Sequence, residues 1–389
     1  MNIQPPSLVA RVLEAAEIAG AHADDVDAKG RFPAEAIKAL AERRLLSAMI
    51  PQTFGGDGAS MAQIGELCAI LAQHCASTAM IFAMHQIKAS SLIKHGAGAP
   101  WHEAYMREVA EHQRLLASAT TEGGIGGDLR NSICAVEVEG ERMSLTKNAT
   151  VISYGDHGDA ILVTARRAPD AQSSDQVMVV LRKQDYTLEK TSSWNALGMR
   201  GTCSDGFVLR AQARAEQILP LPFAEIAAQS MLAAAHLLWS SLWFGVANGA
   251  MIKAQNFVRA EARKNPAVTP PGGLRLAEAA ADLQAMRSVI LDGFRRYERA
   301  LDDPDDLGSV SFLAAMNTLK LNSSQMMNDI LRQALMITGI LGYKNDTPFS
   351  LGRSLRDAMS APIMISNDRI LGNTARLLLA HRFEARLSV

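Results

Sequence analysis

The sequence predicts an α+β protein in which a helical segment, a β-domain and a second helical segment follow one another. Leu-, Ala- and Met-rich stretches with helical spacing fill roughly the first hundred residues and return after residue 223, whereas short alternating runs are confined to residues 133–210. Because the strands and helices are segregated along the chain, a doubly wound parallel sheet is excluded. We predict domains at residues 1–116, 117–222 and 223–389.

Four helical patterns make up the first domain. Ser7–Ala21 is amphipathic, and Phe32-Pro33 begins a second helix that ends at Pro51. Met61–His74 and Ser77–His95 continue the same Ala-, Leu- and Met-rich spacing. We therefore expect an N-terminal helical domain without strands.

Short alternating runs separated by turn residues define the middle domain. They predict an antiparallel, barrel-like β-domain of about 100 residues. The runs are 134–139, 142–145, 150–153, 161–166, 177–181, 186–190 and 206–209.

Helical patterns return in the third domain, at residues 226–263, 274–301, 310–339 and 354–379. The stretch Ile226–Ile252 carries no charge and is long enough to cross a bilayer. However, polar residues such as Gln229, His236 and Asn248 are scattered through it. We predict a buried bundle helix and no membrane span.

Composition excludes several functional classes. Among 389 residues, 39 basic and 40 acidic side chains give a net charge of −1, and aromatic residues make up only 5%. A nucleic-acid-binding protein should carry a basic excess. The four cysteines show no CxxC spacing, which predicts neither a metal site nor a disulfide scaffold. Because Met1–Pro6 does not resemble a secretory start, we expect a cytoplasmic protein.

A glycine-rich segment, Ala119–Asp128, is the most informative motif. Four glycines in five positions let backbone N–H groups approach a ligand, and Thr120 and Thr121 add hydroxyl groups. A dinucleotide fingerprint of this kind needs a strand before it and a helix after it. Since the residues that follow look like strands, a Rossmann site is rejected.

Five motifs in order resemble those of the acyl-CoA dehydrogenase family of flavoproteins, over nearly the whole chain. The opening residues Phe32-Pro33, Ile50-Pro51 and Phe54–Gly58 are followed by the glycine-rich segment. The later motifs are Lys147 with Val151–Gly155 and Asp159, then Leu197–Thr202, then Gly339–Tyr343 with Pro348 and Arg356–Ala358. The resemblance implies the fold described above, an FAD cofactor and an acyl thioester substrate carried by CoA or a carrier protein.

The resemblance also implies flavin contacts within the chain. Thr120 and Thr121 would meet the pyrimidine and N5 region, and Gly126 and Gly127 would lie near the pyrophosphate. The positions of Ile152 and Ser153 match those that pack on and hydrogen-bond to the isoalloxazine ring.

Further contacts implied by the resemblance would join neighbouring subunits. Arg263 matches an arginine that reaches the FAD of a neighbouring subunit, and Gly339 and Gly342 would let backbone approach the adenosine half of the partner's FAD. We accordingly expect a homodimer or homotetramer. The chain departs from the family pattern at several positions, which are Gly123, Gly127, Val151, Asn265-Pro266 and Met336.

The family's catalytic carboxylate is missing from its expected positions. Removal of an α-proton needs a base, but the aligned position falls on Ile365 or, with a two-residue insertion, on Asn367. The family's second location falls on Leu238. Asp368 is the leading replacement and is equally a candidate helix cap, whereas His236 is the second candidate and is equally a candidate buried histidine.

Three functions therefore remain open. The first is an acyl-CoA or acyl-carrier dehydrogenase with a relocated base. The second is a flavin-dependent monooxygenase of the same fold, for which His85 and Ser153 would lie near the flavin. The third is a non-catalytic flavoprotein.

Overall fold

Five helices form the N-terminal segment of the computed structural model, which describes residues 6–126, 128–264, 266, 268–302 and 304–380. The capping box between Ser60 and Gln63 fixes the start of α3, which has the predicted bounds. The helix α5 has no counterpart in the sequence prediction. The helices are α1 (Leu8–Lys29), α2 (Ala34–Glu42), α3 (Met61–His74), α4 (Ala76–Gly96) and α5 (Pro100–His112).

Seven strands form two sheets in the described part of the middle segment. Their bounds are β1 (Leu116–Ala119), β2 (Glu137–Glu139), β3 (Arg142–Ile152), β4 (Ala160–Arg166), β5 (Gln176–Arg182), β6 (Tyr186–Ser192) and β7 (Asp205–Arg214). The strand orders are β1-β4-β5 and β2-β3-β7-β6. All pairs are antiparallel except β1 with β4, which are parallel, so the expectation of a purely antiparallel domain was wrong at this pair. The predicted boundary at residue 117 falls inside β1.

The C-terminal segment is helical again. Its helices are α6 (Phe223–Ile226), a π-helical turn (Ala227–Met231), α7 (Leu232–Lys264), α8 (Gly272–Ala300), α9 (Pro304–Leu307), α10 (Val310–Thr338), α11 (Ile340–Tyr343), α12 (Gly352–Ala358) and α13 (Asn367–Leu378). Together they confirm the predicted order of helices, sheets and helices.

The long helical run Phe223–Lys264 is the centre of the fold. Within the described ranges it is the one helix long and apolar enough to cross a membrane. Its apolar 18-residue window has a mean hydropathy of 1.3, but 89% of that window is buried inside the protein. It packs against α3 and α10. At Gly245 the backbones come so close that an added Cβ would lie 2.1 Å from the Ala69 carbonyl oxygen. This run is therefore a core helix of the bundle.

Two of the sequence motifs meet and join the three segments. A carboxylate oxygen of buried Asp357 accepts the N–H of Met199 at 2.6 Å, and Arg356 forms an ion pair with Asp27 of α1. A Cβ at Gly198 would lie 2.2 Å from the Arg356 carbonyl oxygen, so only glycine fits this contact. Burial raises the pKa of Asp357 to about 6. These contacts join the β-domain, the C-terminal helices and α1.

Candidate functional site

The glycine-rich loop presents a row of free backbone donors. Gly124 and Gly126 have φ angles of 91° and 58°, a region that favours glycine. The N–H groups of Gly124, Ile125 and Gly126 donate to no group in the described part of the chain, and a Cβ at Gly126 would meet no atom within 4 Å. Successive free N–H groups of this kind form an anion-binding nest. The loop therefore fits the phosphate of a flavin nucleotide. Gly127 lies outside the described residues.

Buried Glu122 anchors the base of this loop. Its carboxylate accepts the N–H groups of Ile133 and Cys134, at 2.9 and 2.7 Å, and the hydroxyl of Ser132 at 2.9 Å. The ammonium of Lys147 lies 3.5 Å away and donates to the Thr164 carbonyl at 2.8 Å. Burial lowers the pKa of Lys147, and Glu122 opposes that shift. Both oxygens of the Glu122 carboxylate therefore accept hydrogen bonds, and these bonds hold the start of the glycine-rich loop in place.

A cation lies beside the nest. The guanidinium of Arg369, in the first turn of α13, donates to the carbonyl of Gly126. The C-terminal bundle therefore contacts the loop directly, across 243 residues of sequence. A guanidinium next to free backbone N–H groups strengthens an anion site.

Thr120 and Thr121, at the start of the loop, are half-buried. The hydroxyl of Thr121 donates to the Val151 carbonyl at 3.2 Å, which ties the loop to the end of β3. The strand β3 ends at Ile152, which is fully buried. The hydroxyl of Thr121 thus meets the residue just before Ile152, whereas the side chain of Ile152 is enclosed by the protein.

Ser153 begins a chain of hydroxyl groups. Its Oγ lies 2.8 Å from Oγ of Ser204, which in turn lies 2.8 Å from Oγ1 of Thr202. Thr202 donates to the Met199 carbonyl at 2.9 Å. Tyr154, the next residue, has a φ of 45°, which is strained for a bulky residue. The hydroxyl-to-hydroxyl contacts and the strained turn at Tyr154 fix the position of Ser153. Its polar side chain is the one expected to face the flavin ring.

Lys320 of α10 is a buried cation where the family's base was expected. Its ammonium donates to the carbonyls of Ala361 and Ile365, at 2.9 and 2.6 Å, and to Oδ1 of Asn367 at 2.6 Å. These three acceptors account for all three protons of an ammonium group. The ammonium also lies 5.7 Å from the centre of the Trp243 ring.

The segment that Lys320 holds is strained. Ile365 has a φ of 53°, an outlier for a β-branched residue. Burial lowers the pKa of Lys320 to about 8. Lys320 was missed by the sequence reading, although it belongs to the apolar stripe of α10 that also contains Met316, Ser323 and Met327. That periodicity is the signal that could have identified it as buried.

The two residues expected to replace the base have different environments. Asp368 is exposed in the first turn of α13, where a carboxylate favours the helix N-terminus. His236 is buried, and its Nδ1 has no hydrogen-bond partner among the residues described. Burial and the nearby charge of Lys320 lower the pKa of His236 to about 3. A neutral imidazole of such low basicity is a weak proton acceptor. At the family's second base location, Leu238 is fully buried.

His85 does not have the free ring that a flavin contact needs. Its Nε2 lies 2.6 Å from the Leu46 carbonyl and its Nδ1 accepts the N–H of Leu116 at 3.0 Å. Both nitrogens are therefore used, and the bonds fix the tautomer with its proton on Nε2. Burial lowers the pKa of this ring to about 4. His85 joins α4 to β1, and neither of its ring nitrogens is open to a flavin.

The residues expected to reach a neighbouring subunit lie at the surface, with one exception. Arg263 is exposed in the last turn of α7, and Gly339 ends α10 with a φ of 56° and open space around it. At Gly342, an added Cβ would lie 1.9 Å from Oγ1 of Thr338. Packing within the chain is thus sufficient to explain Gly342, whereas Arg263 and Gly339 remain available to a partner.

Two family profiles and a curated relative are similar to this chain over most of its length. The family profile for the N-terminal domain of acyl-CoA dehydrogenases matches residues 9–113, and the one for the C-terminal domain matches residues 226–374. Cyclohex-1-ene-1-carbonyl-CoA dehydrogenase of Syntrophus aciditrophicus is 24% identical over 353 residues, 89% of this chain and 82% of that protein.

Solved structures share the fold at low sequence identity. The nitrososynthase of Micromonospora carbonacea var. africana superposes with a TM-score of 0.83 and 20% identity, covering 97% of this chain and 99% of that chain. FMN-bound TdsC of Paenibacillus sp. A11-2, a dibenzothiophene monooxygenase, gives 0.82 and 18%, covering 97% and 98%. At these identities the likeness shows a fold that binds flavin in other proteins.

Proposed function

The chain belongs to the acyl-CoA dehydrogenase family, and we propose that it uses this fold as a flavin-dependent monooxygenase. One observation carries the proposal. Where the resemblance leads one to expect a carboxylate base, Asn367 is hydrogen-bonded at 2.6 Å to the buried ammonium of Lys320.

An α,β-dehydrogenation depends on a proton acceptor near the substrate α-carbon. Isoleucine and leucine cannot accept a proton, and neither can the asparagine amide at neutral pH. His236 is a poor alternative because its pKa is lowered to about 3. The Lys320 ammonium holds Asn367 and the Ile365 carbonyl in place, so no proton acceptor takes the place of the missing carboxylate there.

The proposed reaction balances with reduced flavin and molecular oxygen as co-reactants. One oxygen atom enters the substrate, the other leaves as water, and the two electrons come from the reduced flavin with a proton from solvent. The flavin supplies this oxygen and electron chemistry. The chain itself would contribute the phosphate nest, the hydroxyl of Ser153 toward the ring, and the Lys320 ammonium that holds Asn367 in place.

The proposed cofactor is a flavin nucleotide. The nest of Gly124, Ile125 and Gly126 fits a phosphate, which FMN and FAD both carry. FAD stays our expectation, since Arg263 and Gly339 are free to reach the adenosine half held by a partner subunit. Extraction of the flavin from purified protein and its separation by chromatography would identify the nucleotide.

An acyl-thioester dehydrogenase is the second candidate. Asp368, a carboxylate next to Asn367, favours it. A rearrangement at the start of α13 would be needed to bring this exposed group to the substrate. The cyclohexenoyl-CoA dehydrogenase noted above performs the reaction that its name states, and it supports this candidate by likeness alone.

Two assays separate these candidates. The flavin-loaded protein is first mixed anaerobically with acyl-CoA thioesters of several chain lengths, and we expect no bleaching of the oxidised flavin spectrum. Photoreduced protein is then exposed to ¹⁸O₂ with a panel of small organic substrates. We expect one ¹⁸O atom in the product by mass spectrometry.

The variant Asp368→Asn supplies the control. If bleaching by an acyl-CoA occurs and is lost in this variant, the dehydrogenase is correct and the monooxygenase fails. The matched exposed change Asp346→Asn should alter neither assay. A protein that binds neither FMN nor FAD would contradict both candidates.

A further inference from the structure

The first turn of α13 contacts two distant parts of the molecule. On one side, Asn367 accepts a hydrogen bond from the buried Lys320 ammonium at 2.6 Å and donates to the Ser324 hydroxyl at 3.1 Å, both on α10. On the other side, Arg369 of the same turn donates to the Gly126 carbonyl of the phosphate nest. Because a helical turn fixes its residues relative to one another, the position of Arg369 depends on where Asn367 is held.

Polar contacts to α10 contribute much of what holds α13 in place. Of its residues, Ile370 and Thr374 are the buried ones. A helix that buries so little apolar surface gains little stability from packing. The amide of Asn317 donates to the Thr374 hydroxyl at 3.0 Å, which adds a neutral contact between the same two helices. The contact from Lys320 is charged, and charged hydrogen bonds are the stronger kind.

The Lys320 ammonium also holds the chain that leads into α13. It donates to the carbonyls of Ala361 and Ile365 at 2.9 and 2.6 Å. The φ of 53° at Ile365 is unfavourable for a β-branched residue, and such a conformation persists only where surrounding contacts hold it. Without the ammonium, these carbonyls and the Asn367 amide oxygen lose the donor that they share. The strained turn can then relax, and the start of α13 can move.

We propose that Lys320 is a positioning residue for the flavin phosphate, because through Asn367 it places the Arg369 guanidinium beside the nest. The inference rests on the flavin cofactor proposed above and not on the reaction that the flavin performs. It gives the buried ammonium a role at the phosphate end of the cofactor. A guanidinium held in place strengthens an anion site, and a displaced one loses that contribution.

Two flavins that differ in a phosphate group test the proposal. FMN carries this phosphate, whereas riboflavin lacks it. Fluorescence titration of the full-length protein, freed of bound flavin, gives a dissociation constant for each, and their ratio measures what the phosphate contributes. We expect the wild type to bind FMN more tightly. Lys320→Met should reduce this preference about fivefold and leave riboflavin affinity within about twofold. A general loss of folding would weaken both flavins alike.

A double-mutant cycle tests the connection to Arg369. Because Arg369→Gln removes the guanidinium that Lys320 is proposed to place, adding Lys320→Met to it should reduce the FMN preference no further. Asn367→Ala breaks the same connection at its other end and should act as Lys320→Met does. This second variant keeps the test decisive if the buried lysine cannot be replaced without unfolding the protein.

Two control variants separate positioning from stability. Lys38→Met removes an exposed lysine of α2 and should keep the wild-type FMN preference. Val12→Ala, a buried change in α1, should lower the melting temperature and also keep that preference.

Four results would overturn the proposal. They are an unchanged FMN preference in either folded variant, Lys320→Met or Asn367→Ala; an equal loss of affinity for both flavins; a further loss of preference in the double variant; and a wild type that binds the two flavins equally. Because the titration needs no turnover, a failed oxygenation assay beside an intact FMN preference would contradict the proposed reaction alone.

Discussion

At the residue scale, Glu122 determines how well the phosphate nest is held. Its carboxylate binds two backbone N–H groups and lies beside buried Lys147. We expect Glu122→Gln to destabilise the protein by about 3–5 kcal/mol, because it leaves a buried cation without its charged partner. Urea unfolding of the variant and the wild type would measure the difference.

The matched control is Glu137→Gln on the exposed strand β2. This change should cost less than about 0.5 kcal/mol. A cost below about 1 kcal/mol for Glu122→Gln would show that the amide replaces the carboxylate without penalty, and that the charge does not hold the loop.

Single residues also show where sequence reasoning fails. The contact between the glycine-rich segment and the end of β3, made by Thr121 and Val151, joins two motifs that the sequence reading had singled out. Lys320 was missed because a lysine in a helix is ordinarily exposed. Its burial depends on Ala361 and Ile365, more than 40 residues away.

At the element scale, α13 is the part of the bundle that contacts the glycine-rich loop. Arg369 in its first turn donates to the Gly126 carbonyl. We expect Arg369→Gln to weaken flavin binding about tenfold, since a charged hydrogen bond contributes about 1.5–3 kcal/mol. Fluorescence titration with FMN and FAD would measure the dissociation constants.

Arg376 provides the matched change, because it is an exposed arginine two turns further along the same helix. Arg376→Gln should leave flavin affinity within about twofold. Equal weakening by both variants would mean that the general charge of α13 attracts flavin and that the contact to Gly126 is irrelevant.

The elements differ in how far the sequence predicts them. The helix α3 carries an N-terminal capping box and a helical periodicity, and its bounds were predicted correctly. The strand β1 consists of Leu116–Ala119, four small or apolar residues with no alternation. Only its pairing with β4 makes it a strand, and a parallel partner 44 residues away leaves no local signal.

At the scale of the whole molecule, large apolar side chains of the C-terminal helices remain exposed. Three of them, Met336, Ile340 and Tyr343, lie close in sequence on the surface formed by the end of α10 and by α11. Groups of exposed apolar side chains of this kind mark protein–protein interfaces. We expect a dimer or tetramer in light scattering after size exclusion.

Charge on that surface should disrupt the assembly. The variant Ile340→Asp should raise the dissociation constant about a hundredfold, because an unpaired polar group buried in an interface costs about 1–3 kcal/mol. Leu13→Asp, at an exposed apolar position on α1, is the matched control and should leave the assembly intact. A monomeric wild type would contradict the prediction.

Acid stability depends on buried histidines throughout the molecule. Burial lowers the pKa values of His85, His95 and His236 to about 4, 4 and 3. In the unfolded chain these rings titrate near 6.5. Near pH 5 the unfolded chain therefore binds three more protons at these sites, whereas Asp357, with its pKa raised to about 6, makes the native state bind one more.

At these four groups the unfolded chain therefore binds about two more protons than the native state near pH 5, and this difference fixes the sign of the pH dependence. Stability rises with pH wherever the unfolded state binds more protons, so we expect the free energy of unfolding to fall by about 2–3 kcal/mol per unit as the pH drops through 5. His236→Gln removes one of these protons and should reduce the slope by about 1.4 kcal/mol per unit. His112→Gln, at an exposed position of α5, is the matched control and should leave the slope unchanged. Urea unfolding between pH 4.5 and 6.0 measures all three proteins, and an unchanged slope in His236→Gln would show that this ring is already protonated in the folded protein.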